Sequence, residues 1–299
     1  MILVAGATGS LGSEICRRLR ARGERVRGLV RTTSTAEKVA ALEDIGVETV
    51  HGDLKDRASL DAACVGADVV ISTVSIIVTA QPGDSFDATD SAGNIALIDA
   101  AKAAGARQFV FVSFDTLSFP DAPLITAKRN VETHLRSSGL EYSILQPTFF
   151  MEVWLGPHLF ADPASGTARV YGEGTRPVSY VGVGDVAEVA VKCLNNAEAR
   201  HATLRFGGAL LSQREALRIF EETFKKPFAV IELSEETLEA QWNSAADPFT
   251  RTFSSLMLGL ARAALDTGEQ RGTVFPERWQ SVQEYTRRQA AHAVTAPTS

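Results

Sequence analysis

Three glycines within the first twelve residues, Gly6, Gly9 and Gly12, stand where a backbone can meet a phosphate. They follow the apolar run 1–5 and open a helical pattern with Leu11, Ile15 and Leu19 on one face. Strand, glycine turn and helix in that order form the diphosphate-binding unit of a dinucleotide fold. A Cβ in the turn would keep the backbone from the pyrophosphate, and one at the third position would hold the helix off the strand. The diphosphate would then lie against unpaired N–H groups at the helix N-terminus, where the helix dipole favours an anion. Gly6, Thr8, Gly9, Ser10, Leu11 and Gly12 are therefore read as one cradle.

Arg31 ends the second apolar stretch, nineteen residues beyond Gly12. In this kind of unit the residue there meets the adenosine ribose. An acid accepts from the 2′-hydroxyl and repels a phosphate, whereas an arginine binds the 2′-phosphate of NADP. No acid stands at 26–34, and Thr32, Thr33 and Ser34 add hydroxyls, so NADP is the expected cofactor. A charge-assisted bond of roughly 1.5–3 kcal/mol corresponds to about ten- to a hundredfold in affinity. Asp53 and Leu54 close the third strand in Gly52-Asp53-Leu54. Asp53 can accept from the adenine amino group or cap the helix that begins near Asp56, and both roles stay open. Ser72, Thr73 and Val74 end the fourth strand, where backbone passes beneath the cofactor.

The elements that must hold these residues alternate through the first half. The patterns predict strands at 1–5, 25–30, 47–51, 68–73, 108–113 and 141–146. Helices are expected at 10–22, 35–45, 56–64, 91–104 and 125–138. That spacing predicts an α/β fold, a doubly wound parallel sheet of Rossmann type with its ligand outside the carboxyl ends of the strands. The polar, turn-rich segment 79–90 follows the fourth strand and is expected to be a mobile cover over the cofactor. After Pro147 the alternation fades. A strand at 178–183 and a helix at 185–194 are expected to rejoin the main sheet. Residues 1–148 with 178–200 are thus read as the dinucleotide-binding domain. Residues 149–177 and 201–290 are read as a smaller substrate lobe with an amphipathic helix near 212–224, and 291–299 as a frayed tail.

A chain of 299 residues, 45% hydrophobic and 22% charged, suffices for one such domain and a smaller lobe. The net charge of −6 supplies no global basic field, so neither nucleic acid nor a membrane surface is expected as a partner. Arg17, Arg18, Arg20, Arg22, Arg25 and Arg27 read as a largely solvated face. The longest mainly apolar stretch, 69–80, contains serines and threonines and is too short to span a bilayer. A strand starting at residue 1 leaves no room for a leader, so a cytoplasmic protein is expected. Cys16, Cys64 and Cys193 form no CxxC pair and read as reduced, partly buried thiols. The five histidines lack metal-ligand spacing, and no metal is expected.

The stretches GATGSLG, Arg31, GDL, GNIALIDAAKAAGARQFVFVS and AKRNVETHLRSSGLEYSILQPTFFME together resemble the NmrA-like atypical short-chain dehydrogenases. That group includes quinone and triphenylmethane reductases, isoflavone-reductase-like enzymes and non-catalytic redox-sensing regulators. The likeness covers roughly residues 1–200 and implies an NADPH-dependent reductase acting on a small molecule, a quinone or similar conjugated compound. The alternative it leaves is an NAD(P)-sensing regulator that binds a protein partner. The resemblance places Lys128 at the lysine of the short-chain Tyr-x-x-x-Lys pair, but Leu124 stands where the tyrosine would be, and no tyrosine has a lysine four residues on. Lys128 also falls within the helical stripe Leu124, Ala127, Val131 and Leu135, facing the sheet. It needs a polar partner there, the nicotinamide ribose being one, unless its stem snorkels to water. Its neighbours Arg129, Asn130, Glu132, Thr133 and Arg136 are expected on mostly outer faces. Ser113 stands where the family has a substrate-polarising serine, with strand capping as the other reading. Pro147, Thr148 and Phe149 follow the sixth strand, where the family lays backbone and an aromatic beside the nicotinamide. Phe150, Met151 and Trp154 are candidates for an apolar substrate pocket, or equally for the core of the small lobe.

Overall fold

The apolar run at the N-terminus has no polar face because the sheet it enters is covered on both sides. Ile2 and Val4 of β1 (Ile2–Ala5) point into one core with Ile15, Leu19 and Val186, while Leu3 and Ala5 point into another with Leu60, Leu97 and Leu135. This two-residue alternation repeats along the sheet. The computed structural model describes residues 1–116, 118–262, 266–268 and 270–295. In chain order β1 is followed by α1 (Ser10–Ala21), β2 (Val26–Val30), α2 (Ala36–Asp44), β3 (Glu48–His51) and α3 (Arg57–Cys64). Then come β4 (Val69–Ser72), a π-helix at Phe86–Gly93, α4 (Asn94–Ala103), β5 (Gln108–Val112), α5 (Pro123–Ser137) and β6 (Glu141–Pro147). All six strands pair in parallel, and the expected doubly wound sheet is present. The strand order is 3-2-1-4-5-6, so the chain reverses direction between β1 and β4 and opens a crevice beyond their carboxyl ends.

The second half runs β7 (Phe149–Phe150), α6 (Met151–Trp154), β8 (Ala161–Asp162), β9 (Thr167–Tyr171), β10 (Pro177–Val181) and α7 (Val183–Lys192). It continues with β11 (Ala202–Phe206), β12 (Ala209–Ser212), α8 (Gln213–Phe224), β13 (Ala229–Leu233), α9 (Glu235–Ser244), α10 (Pro248–Arg262) and α11 (Val282–Thr295). The strand expected to rejoin the main sheet does not. β10 lies in a separate three-stranded sheet between β12 and β7. The strand that extends the main sheet is β11, parallel to β6 at its edge. Its residues 202–206 fall in the stretch read as the lobe. The helix expected at 185–194 is α7; it covers the same sheet face as α1, with Val186, Val189 and Ala190 against Ile15 and Leu19, and Arg18 reaching Glu188 at 3.4 Å. A third sheet, β13-β9-β8, completes the smaller part, whose core gathers Phe149, Met151, Phe160, Tyr171, Tyr180, Phe220 and Leu258.

Four further expectations change. The segment 79–90 is not simply a polar cover: it runs into the π-helix, with Phe86 and Asp90 buried. Glu132 is buried rather than outward. Arg17, Arg22 and Arg25 are exposed as expected, but the half-buried Arg27 reaches Glu48, Ala63 O and Val65 O, and the half-buried Arg20 reaches Glu24 O and Ile45 O. The tail expected from residue 291 continues α11 as far as Thr295, and residues 296–299 lie outside the described residues. Among the described residues no helix is long and apolar enough to cross a membrane.

Candidate functional site

The turn between β1 and α1 sits at the switch point of the sheet. Gly6 has φ +81°, and a Cβ there would lie 2.6 Å from Thr73 Oγ1. A Cβ on Gly12 would lie 2.1 Å from Gly6 O. These two glycines are demanded by the polypeptide itself. Gly9 is different: a Cβ there would meet only Gly6 O, at 3.3 Å, with nothing else within 4 Å. Gly9 and Ser10 are exposed, Thr8 and Leu11 half-buried. Gly9 is the N-cap of α1, no side chain caps it, and no acid stands in the first turn. The helix therefore presents uncapped N–H groups to open space, a cradle for an anion that a side chain at position 9 would fill.

Beyond the end of β2, Arg31 does not stand alone. Its Nη1 lies 2.8 Å from Asp84 Oδ2. The other oxygen of that carboxylate takes Lys55 Nζ and the Thr89 hydroxyl, and Gln81 N donates to Oδ2 at 3.0 Å. Thr33 Oγ1 donates to Gln81 Oε1 at 2.5 Å. Burial pushes the Asp84 carboxyl up, but Lys55, Gln81 N and Arg31 outweigh it and hold the group below its ordinary value. No acid is close in sequence to Arg31, yet the fold brings one from 53 residues away. Asp53 Oδ1 accepts from Lys55 N at 2.9 Å, and the cap of α3 is Asp56, which accepts from Ala58 N. Capping is thereby removed from Asp53. Leu54 is buried against Gly93, whose added Cβ would come within 2.7 Å of the Leu54 Cβ.

At the opposite end Lys128 is buried, its side chain 4% exposed, so the stem does not snorkel. Its Nζ donates to Val74 O at 3.2 Å and to Val112 O at 3.4 Å, and lies 4.9 Å from the centre of the Phe111 ring. Its counter-charge is Asp90, at 3.8 Å. Asp90 Oδ2 accepts from Ile76 N, while Oδ1 has no hydrogen-bond partner among the described residues. Burial pushes the Lys128 ammonium down and the Asp90 carboxyl up, each pulling against the other's shift. The lysine thus stands beneath Val74, at the backbone the sequence placed under the cofactor. Ser72 turns away and donates to Asn94 Oδ1 at 2.5 Å; Thr73 bonds back to Ala5 O at 3.1 Å.

Ser113 is buried and donates to Glu132 Oε1 at 2.6 Å, an oxygen that Gln146 Nε2 also reaches at 2.9 Å. Arg136 pairs with the other Glu132 oxygen at 2.9 Å. The single proton of Ser113 is committed to this cluster, which joins β5, α5 and β6. Pro147 is buried, and the Thr148 hydroxyl is buried without a hydrogen-bond partner among the described residues. Phe149 meets Trp154 edge-on at 4.6 Å and Phe119 at 5.9 Å. Met151 is wholly enclosed, whereas Phe150 and Trp154 are half-buried. Of the three pocket candidates, Met151 is therefore core.

The sequence reading missed Asp84, Lys55, Asp90 and Glu132. One pattern could have found Asp90: with Asn94, Leu97, Ile98 and Ala101 it continues a single inward helical stripe, as Lys128 does on α5. Among the described residues no three His, Cys, Asp or Glu side chains are grouped to hold a metal ion.

Comparison with known proteins bears on the family and the fold. The chain is 33% identical over 197 residues to the photosystem II assembly factor Ycf39 of Guillardia theta, a match covering 65% of this chain and 60% of that protein. It is 29% identical over 282 residues to the isoflavone reductase homolog IRL of Zea mays, covering 91% of this chain and 88% of the other. For the first curated relatives the chain spans only 60% and 51% of their length. The crystal structure of the NADPH-dependent quinone oxidoreductase QOR2 from Escherichia coli superposes with a TM-score of 0.76 at 19% identity, over 97% of this chain and all of that one, a likeness of fold. The model of the NmrA-like family matches residues 1–258, and the chain belongs to that family.

Proposed function

We propose that this protein is an NADPH-dependent reductase that delivers hydride to a quinone or a similar conjugated small molecule. The observation that carries the reading is Gly9. A Cβ on Gly9 would press only on Gly6 O, at 3.3 Å, a milder conflict than at Gly6 or Gly12, and it would stand at the uncapped end of α1, where an anion can sit. Gly6, Thr8, Gly9, Ser10, Leu11 and Gly12 hold the diphosphate, Arg31 holds the 2′-phosphate, and Asp53 and Leu54 border the adenine. Thr73, Val74, Pro147 and Thr148 line the other end, where Lys128 orients the nicotinamide ribose from below Val74. NADPH, when bound, supplies the hydride. Phe149 and the half-buried Trp154, packed edge-on, offer apolar aromatic surface, and Phe150 lies beside them in the chain, which suits an acceptor that needs no strong protein acid. The solved quinone oxidoreductase of the same fold supports this choice of acceptor.

A second reading, an NAD(P)-binding regulator without turnover, is favoured by two observations. Lys128 is enclosed, and the Ser113 proton is spent on Glu132. The name of the Ycf39 relative, an assembly factor, belongs with this reading. One experiment separates the two: NADPH consumption against a panel of quinones, dyes and enones, with cofactor titrations on wild type and Arg31→Ala. The reductase reading expects turnover with at least one acceptor. It also expects NADPH affinity to fall about ten- to a hundredfold in Arg31→Ala while NADH affinity barely moves. Tight NADPH binding with no turnover moves the protein to the regulator.

A further inference from the structure

Arg31 and Lys55 arrive from different loops, beyond the carboxyl ends of the neighbouring strands β2 and β3, and both end on one carboxylate. Arg31 Nη1 takes Asp84 Oδ2 at 2.8 Å, and Lys55 Nζ takes Oδ1. The Asp84 side chain has no exposed surface, whereas Arg31 and Lys55 are 29% and 32% exposed. Asp84 is also held from its own segment, by Gln81 N at 3.0 Å and Thr89 Oγ1 at 3.2 Å. The carboxylate is therefore fixed, and the two cations come to it. Among the described residues Lys55 has one other acid near it, Asp53 Oδ2 at 3.6 Å. Two cations spaced to share the two oxygens of a carboxylate are spaced to share two oxygens of a phosphate monoester.

Resting on the NADP reading above, we propose that Lys55 is the second cation of the 2′-phosphate seat and that Asp84 is its resident anion. The 2′-phosphate takes the two cations over from Asp84, which remains on Gln81 and Thr89. Lys55 thus adds to the discrimination between NADPH and NADH, and Asp84 subtracts from it. Neither follows from the glycine turn or from Arg31.

Calorimetric titration of 2′,5′-ADP and 5′-AMP into the whole protein tests this without turnover, because the two probes differ only in the 2′-phosphate. Lys55→Met changes a partly exposed side chain on a loop. It should weaken 2′,5′-ADP about tenfold and leave 5′-AMP unchanged. Asp84→Asn keeps an oxygen for Gln81 N but removes the competing charge, and should tighten 2′,5′-ADP several-fold. The proposal is overturned if Lys55→Met binds 2′,5′-ADP as wild type does, whatever Asp84→Asn does. If Arg31→Ala removes the preference for 2′,5′-ADP and Lys55→Met does not, this inference alone fails. If wild type shows no preference between the probes, the NADP reading fails and takes this one with it.

Discussion

Gly9 and Gly12 look alike in the sequence and are demanded by different things. A Cβ on Gly12 would overlap Gly6 O, so Gly12→Val should disrupt the turn and leave no folded protein to assay. Gly9 has φ −78° and ψ 163°, a conformation valine adopts readily, so Gly9→Val should fold at a cost of about 1 kcal/mol for the poorer cap. It should nonetheless lose NADPH binding; a folded Gly9→Val variant that binds NADPH normally removes the basis of the functional reading. Lys128 requires a pair of substitutions. Lys128→Met keeps the volume of the stem but leaves Asp90 buried behind it without its counter-charge. The single variant should lose about 3–5 kcal/mol, and Lys128→Met with Asp90→Asn should recover most of it. The pH signs differ for the two single variants. Burial raises Asp90, so in Lys128→Met the deficit shrinks as pH falls and the orphaned carboxyl takes a proton. Burial lowers Lys128, so in Asp90→Asn the deficit shrinks as pH rises and the ammonium loses its proton. Urea unfolding at roughly pH 5, 7 and 9 reads both; parallel curves would mean that the pair is not electrostatically coupled.

At the scale of elements, most boundaries were legible because local chemistry sets them. The helix near 212–224 was visible from its amphipathic pattern, and Ser212 starts α8 through a reciprocal capping box with Glu215. Ser212→Ala should therefore cost about 1 kcal/mol, read as earlier urea unfolding with raised amide exchange in the first turn of α8. An unchanged midpoint would mean that packing of Leu217 and Phe220 alone holds the helix. The π-helix at Phe86–Gly93 was not legible. Its polar and turn-forming residues read as loop; only Asp90 continues the inward stripe of α4, and the segment is buried at Phe86, Thr89 and Asp90 against α4 and α5. The same limit applied to β10 and β11. Both are five-residue strands, and nothing local tells which sheet each will enter.

At the scale of the whole molecule, two-sided coverage of the sheet governs reactivity as well as stability. Cys16, Cys64 and Cys193 are fully enclosed, and burial pushes their thiols up to about 12, 11 and 12. None should react with an aromatic disulfide reagent in native protein near pH 8, and all three should react in denaturant. Rapid labelling of one thiol under native conditions would show that its part of the core opens easily. The sequence by itself determined the glycine turn, the parallel sheet and the position of Arg31 just beyond β2, because glycine geometry and strand alternation act over a few residues. It also placed Lys128 on the inward stripe of α5. Which acids meet these cations was decided only by tertiary structure. Asp84 reaches Arg31 across 53 residues, and Asp90 reaches Lys128 from the neighbouring helix. A charge acts through space, and no spacing rule along the chain records how near in space two distant segments will come.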